Sequence, residues 1–184
     1  MPHAIIIGDG PAGLSAALFL AKNGVPTTVF GQGKTNMNLA LLHNYLGIRD
    51  MLGSDFIVIA REQAAHFGAA LEMRAVTGVE PAEGGFRVRT DDGEAHEAAF
   101  VILAEGKTAK LATALGLEKN DSGVVVDRDG RTAIPGLYAV GRATRRTRSQ
   151  AIISAGEGAA AALDILSQVH GKDFNDFDEP PKGG

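Results

Sequence analysis

Three glycines at the spacing Gly8-x-Gly10-x-x-Gly13 form the arrangement by which a chain brings its own backbone N–H groups to a diphosphate. The first glycine makes a tight turn, the second lets the backbone approach the phosphates, and the third lets a helix pack closely on a strand. The partial positive charge at the start of the following helix adds to the attraction. A glycine turn can also join a strand to a helix with no ligand present. Here the flanking residues agree with the binding reading: Ala4-Ile5-Ile6-Ile7 precedes the turn as a buried strand, and Leu14–Asn23 follows it with helical periodicity, closed by Gly24. We therefore expect a dinucleotide site near residue 10.

Other chemistry is narrowed by what the chain contains. It has no cysteine, so no disulfide, thiolate metal site or cysteine nucleophile is available to it. His3, His43, His66, His96 and His170 are scattered without metal-ligand spacing, and no metal site is expected. Arg142, Arg145, Arg146 and Arg148 form a basic cluster in a chain of net charge −4. With no aromatic residues interleaved and an acidic balance overall, a nucleic-acid partner is not expected. No apolar run reaches the ~20 residues that span a bilayer, and no signal core precedes the glycine turn. The expectation is a cytoplasmic protein without a membrane partner.

At 184 residues the chain has room for one domain. The pattern predicts strands at Ala4–Gly8 and Thr27–Phe30 joined by a helix, then a long loop over residues 31–53, and loops of that length are usually functional. Ser54 is the expected N-cap of a helix burying Phe56, Ile59, Ala60, Ala64 and Phe67. Leu71–Val79, Phe86–Thr90 and Ala95–Phe100, separated by Glu83-Gly84-Gly85 and Asp91-Asp92-Gly93, predict an antiparallel meander. Phe100–Ala104 and Leu137–Val140 are continuously apolar and belong in a parallel sheet. A helix follows from about Gln150 to Val169, its first half rich in small residues that would let it lie close to a neighbour. The expected architecture is α/β with three layers: a central parallel sheet, helices on one face and the meander on the other. Residues 1–170 would form one domain, with a loosely held polar tail over 171–184.

The fingerprint with Pro11-Ala12, the Asn44-Tyr45-x-Gly47 loop, Ala104-x-Gly106, the run Arg131 to Gly141 and Gln150-Ala151-Ile152 together resemble the FAD domain of the thioredoxin reductase family. The resemblance covers residues 4–169 in order. It implies a Rossmann-like FAD domain whose cofactor lies against Gly8, Gly10, Pro11, Ala12, Gly13, Gly31, Gln32, Asn44, Val76, Ala104, Gly106, Gly141, Arg142, Gln150, Ala151 and Ile152. It also implies a homodimer, and a last helix whose amino end lies near the flavin.

The sequence departs from that family in ways that bear on function. An inserted NADPH domain carrying Cys-x-x-Cys is absent, because residues 107–122 cross the insertion point directly. Disulfide reduction by this chain alone is therefore not expected, and electrons would come from a separate protein or from free NAD(P)H. Gly31 stands where an acid usually holds the adenosine ribose, with Gln32 beside it. Arg142 replaces an aspartate near the diphosphate, where it would either fork onto phosphate oxygens or point to solvent with its neighbours. Glu105 is either a solvent-facing residue or a carboxylate near the cofactor, and His43 is a candidate proton relay. Two functions follow: a small flavoprotein oxidoreductase, or a nucleotide-binding or interaction module without redox turnover.

Overall fold

A computed structural model of the chain describes residues 3–180. Along the chain run β1 (Ala4–Ile7), α1 (Pro11–Lys22), β2 (Thr27–Phe30), β3 (Leu41–Leu42), β4 (Met51–Leu52), α2 (Gly53–His66) and β5 (Ala70–Glu72). They are followed by β6 (Val76–Ala82), β7 (Gly85–Thr90), β8 (Ala95–Ala98), β9 (Phe100–Leu103) and α3 (Lys110–Ala114). The last elements are β10 (Lys119–Asn120), β11 (Gly123–Val124), β12 (Leu137–Ala139) and α4 (Ala151–His170).

The central sheet has the order β12-β9-β1-β2-β5, and every pair in it is parallel. The chain leaves β1 for β2 on one side and later returns to β9 on the other, so β1 is the topological switch point. In such sheets, ligands bind in the crevice beyond the carboxyl ends of the strands. The register aligns those ends, pairing Ile7 with Phe30 and with Leu103, and Leu103 with Ala139.

Strand alternation divides the core into two halves. Ala4 and Ile6 join α1, α4 and Ala64 of α2 on one face. Ile5 and Ile7 join Phe86, Val88 and Ala98 of the β6-β7-β8 meander, with Ala109 and Ala112, on the other. The three layers are those expected. The stretch Leu71–Val79, expected as one strand, divides: Ala70–Glu72 joins the parallel sheet beside β2, and the meander starts at Val76. Leu52, not Ser54, stands at the N-cap position of α2, with no side-chain capping bond. That helix buries Ile57 and Ala64 while Ile59 and Phe67 are exposed. The long loop also holds a short β3-β4 hairpin.

The small residues of α4 serve its contact with α1, where a Cβ at Gly158 would lie 2.0 Å from the Ala12 carbonyl oxygen. Beyond α4, residues 171–180 have no regular structure, yet Lys22 at the end of α1 pairs with Asp176 at 2.7 Å and Asp178 at 2.5 Å. The last four residues of the expected tail, and the first two of the expected domain, lie outside the described residues. No helix among the described residues is long and apolar enough to cross a membrane.

On the helix face, the buried Tyr138 hydroxyl donates to Asp164 at 2.6 Å, which also accepts from Arg131 Nε at 2.7 Å and from Gln168 at 3.0 Å. Burial pushes the Asp164 carboxyl up, but the bonds from Arg131, Tyr138 and Gln168 outweigh it and hold the group below its ordinary value. The folded state therefore favours the carboxylate. Its contribution is complete above the unfolded value of about 3.9 and is lost as pH falls through the lower folded one. Thermal melts followed by circular dichroism should show the melting temperature falling below about pH 4. Asp164→Asn should melt lower than the parent at neutral pH and lose part of that acid dependence. An unchanged acid limb would refute the assignment.

Candidate functional site

A groove of about 1050 Å³ lies along the carboxyl ends of β1, β2 and β9, at the upper end of the roughly 300–1,000 Å³ of small-molecule and cofactor sites. Ile7 and Phe30, the last residues of β1 and β2, stand in its wall with Ala104, which follows β9.

The amino ends of the two helices that pack on each other both reach it. Pro11 and Ala12 of α1 line the groove, as do Ala151 and Ser154 of α4 with Gln150 ahead of them. Neither helix has a side-chain cap or an acidic residue in its first turn, so the first N–H groups of each are left for another acceptor. Two uncapped helix starts supply converging partial positive charge. Lys34, Lys107, Lys110, Arg142 and Arg146 add full charges around the rim. Arg74 also lines it, but its guanidinium is engaged by Asp92 and Glu94.

The glycine turn is shaped by close backbone approach. Gly8 has φ +119°, and a Cβ there would lie 2.2 Å from the Ala104 carbonyl oxygen. A Cβ at Gly13 would lie 1.9 Å from the Gly8 carbonyl oxygen. The third glycine thus seats α1 on the turn and does not itself line the groove.

Of the sequence-predicted residues, Gly8, Gly10, Pro11, Ala12, Gly31, Gln32 and Asn44 line the groove. So do Val76, Ala104, Gly106, Arg142, Gln150 and Ala151. Gly13, Gly141 and Ile152 do not: Gly141 is buried behind the wall and Ile152 is exposed on α4. Asn44 and Gln150, far apart in the chain, meet across the groove as Asn44 Nδ2 donates to Gln150 Oε1 at 3.2 Å. The long loop is thereby tied to the start of α4.

The arginine cluster divides by role. Arg142 and Arg146 face the groove, whereas Arg145 Nε donates to Glu157 Oε1 at 2.8 Å and Arg148 is exposed. Glu105 lines the groove, but its oxygens accept from the N–H groups of Leu111 at 2.8 Å and Ala112 at 2.9 Å, which makes it the cap of α3. His43 does not line the groove. It pairs with Asp50 at 3.0 Å and both are exposed, so the proton-relay reading has no geometric basis.

Sequence reasoning missed two acids. Asp9, inside the glycine turn, lines the groove and is 5% exposed. Glu157 on α4 accepts from the Gly141 N–H at 2.7 Å and the Thr144 hydroxyl at 3.2 Å, fixing the turn that presents Arg142. An acid within a phosphate-binding turn, in a chain lacking one at residue 31, was a readable signal for Asp9. Glu157 offered none, since its partners come from other elements.

The groove therefore fits an elongated dianion: uncapped N–H groups at two helix starts, a side-chain-free cradle at Gly8 and Gly10, and a cationic rim. Residues 42–158 match the family model described as pyridine nucleotide-disulphide oxidoreductase. A thioredoxin reductase of Helicobacter pylori is 36% identical over 115 residues, which are 60% of this chain and 37% of that protein. One from Mycolicibacterium smegmatis is 37% identical over 110 residues, 58% of this chain and 35% of that protein. This chain thus matches less than two fifths of the length of either curated relative. Among solved structures, a thioredoxin reductase from Gloeobacter violaceus superposes with a TM-score of 0.87 at 18% identity, covering 97% of this chain and 99% of that one.

Proposed function

Because the chain belongs to the pyridine nucleotide-disulphide oxidoreductase family, whose members bind FAD, we propose that it is a small FAD-binding flavoprotein of oxidoreductase type whose electrons come from outside. The observation that carries this reading is the convergence of two uncapped helix starts, α1 and α4, on one groove at the switch point of the sheet. Bound there, FAD would supply a two-electron redox centre. The chain's own residues bind and orient it: the turn at Gly8 and Gly10 with the start of α1 takes the diphosphate, helped by Arg142 and Arg146. Asn44 and Gln150, joined to each other, offer amide groups to the ring edge, and the start of α4 places partial positive charge beside it.

With no cysteine in these 184 residues, the chain reduces no disulfide through a thiol pair of its own. The donor is free NAD(P)H or a separate reduced protein. We also propose a homodimer, supported by the exposed Leu39, Leu41, Leu46 and Leu52, which cluster in sequence around the β3-β4 hairpin.

The deciding experiment is the absorption spectrum of the purified protein with and without added FAD, followed by anaerobic addition of NADH or NADPH. A bound flavin spectrum that bleaches supports direct reduction, and one that stays oxidised assigns the donor to a partner protein. A colourless protein that takes up no FAD overturns the flavoprotein reading. Sedimentation giving only monomer across working concentrations removes the dimer.

A further inference from the structure

Dinucleotide folds place an acid at the end of the second strand, about 20 residues past the glycine turn, where it holds a ribose hydroxyl. In this chain that position is Gly31, directly after β2. Its backbone does not require glycine, since it is absent from the positive-φ residues of the described chain. What requires glycine is Asp9. A Cβ at residue 31 would lie 2.3 Å from Asp9 Cγ and 2.6 Å from Asp9 Oδ2, so the Asp9 carboxylate occupies the space of the missing side chain.

That carboxylate is held in place. Asp9 Oδ2 accepts from the Gly33 N–H at 3.0 Å and from Arg61 Nη1 of α2 at 2.9 Å. Among the described residues the recorded bonds to Asp9 fall on Oδ2 alone, and Asp9 lines the groove beside Gly31 and Gln32. A carboxylate in a phosphate-binding turn repels phosphate, and here Arg61 offsets the cost of burying it. Oδ1, with no recorded bond among the described residues, suits a group that donates, and a dinucleotide offers ribose hydroxyls at that end.

We propose that the ribose-binding acid has moved from the end of β2 into the glycine turn, so that Asp9, positioned by Arg61 and Gly33, recognises the 2′-hydroxyl of the adenosine ribose. The assignment rests on the FAD reading above, and its test separates the two. The full chain, freed of flavin, is titrated calorimetrically with FAD, ADP and 2′-deoxy-ADP. The parent binds ADP about ten-fold or more tighter than 2′-deoxy-ADP, as a hydrogen bond to a charged group warrants. In Asp9→Asn the amide oxygen turns toward the two donors, Arg61 and Gly33 N–H, and presents NH₂ to the groove. ADP and FAD then weaken by the same factor, and the preference over 2′-deoxy-ADP shrinks, because a neutral NH₂ donating to the hydroxyl oxygen is a weaker bond than a carboxylate accepting from it. The double variant Asp9→Ser with Gly31→Glu returns the acid to β2 and restores the preference.

A parent that binds FAD and ADP without distinguishing the deoxy analogue overturns the ribose assignment alone, as does an Asp9→Asn protein that keeps the parent's full preference. A parent that binds neither FAD nor ADP overturns both readings. Should Asp9→Asn melt before it can be titrated, the double variant decides: regained preference supports the assignment and its absence refutes it.

Discussion

Alanine at Gly158 is expected to cost about 3 kcal/mol or more of folding stability, at the upper end of what an added methyl imposes on a close-packed interior. The new Cβ would stand 2.0 Å from the Ala12 carbonyl oxygen and 2.9 Å from its carbon. These are backbone atoms of the first turn of α1, so no rotamer change relieves the overlap and α4 must move away. Since Ala12 also lines the groove, the displacement reaches the cofactor site, and FAD affinity should fall together with stability. Gly156, two residues earlier on α4, is the control. It is exposed, with nothing within 4 Å of an added Cβ, so Gly156→Ala should leave stability unchanged or raise it by up to about 1 kcal/mol through helix propensity. Urea denaturation of the two variants measures the contrast. Equal effects would mean that the α1-α4 contact is not the close approach described here.

The same contrast bears on what can be read from a sequence. Small residues over Ala155–Ala162 announce a close contact, but not which glycine makes it, because the helical phase relative to α1 is set by packing. The parallel strands were legible where apolar residues ran without interruption, as in Ala4–Ile7 and Phe100–Leu103, for only a strand covered on both faces is written that way. Leu71–Val79 was not legible as two strands. Its second part pairs with β7 across the adjacent Glu83-Gly84 turn, but its first pairs with β2, which is distant in sequence, so alternation alone could not separate them. At the site, residues fixed by backbone geometry were readable: Gly8 and Gly10 by the turn they make. The partners of Asp9 and Glu105, and the whole role of Glu157, were not, because each depends on N–H groups or a guanidinium that folding brings to it.

Glu157 carries the second large effect. Its Oε2 accepts from the Gly141 N–H at 2.7 Å and the Thr144 hydroxyl at 3.2 Å, and its Oε1 accepts from Arg145 at 2.8 Å. Arg145 is about half exposed, so solvent screens that ion pair and little stability is assigned to it. The bond to Gly141 differs, because Gly141 is buried and its N–H has no other recorded partner among the described residues. Glu157→Ala leaves that donor unsatisfied, which should cost about 2 kcal/mol, within the range for a buried group whose partner is removed. The consequence extends past stability. Gly141 adopts φ +68° and leads directly into Arg142 on the groove wall, so a turn released from α4 no longer fixes that guanidinium. FAD affinity should fall about ten-fold, with much of the loss common to ADP because it arises at the diphosphate. Glu157→Gln, whose amide oxygen can still accept from Gly141, should recover most of the stability while the Arg145 pair is lost. Recovery of stability and affinity together in Glu157→Gln would identify the Gly141 hydrogen bond as the functional one. If Glu157→Gln is as impaired as Glu157→Ala, the carboxylate's charge on Arg145 matters more than the bond, and the assignment to Gly141 fails.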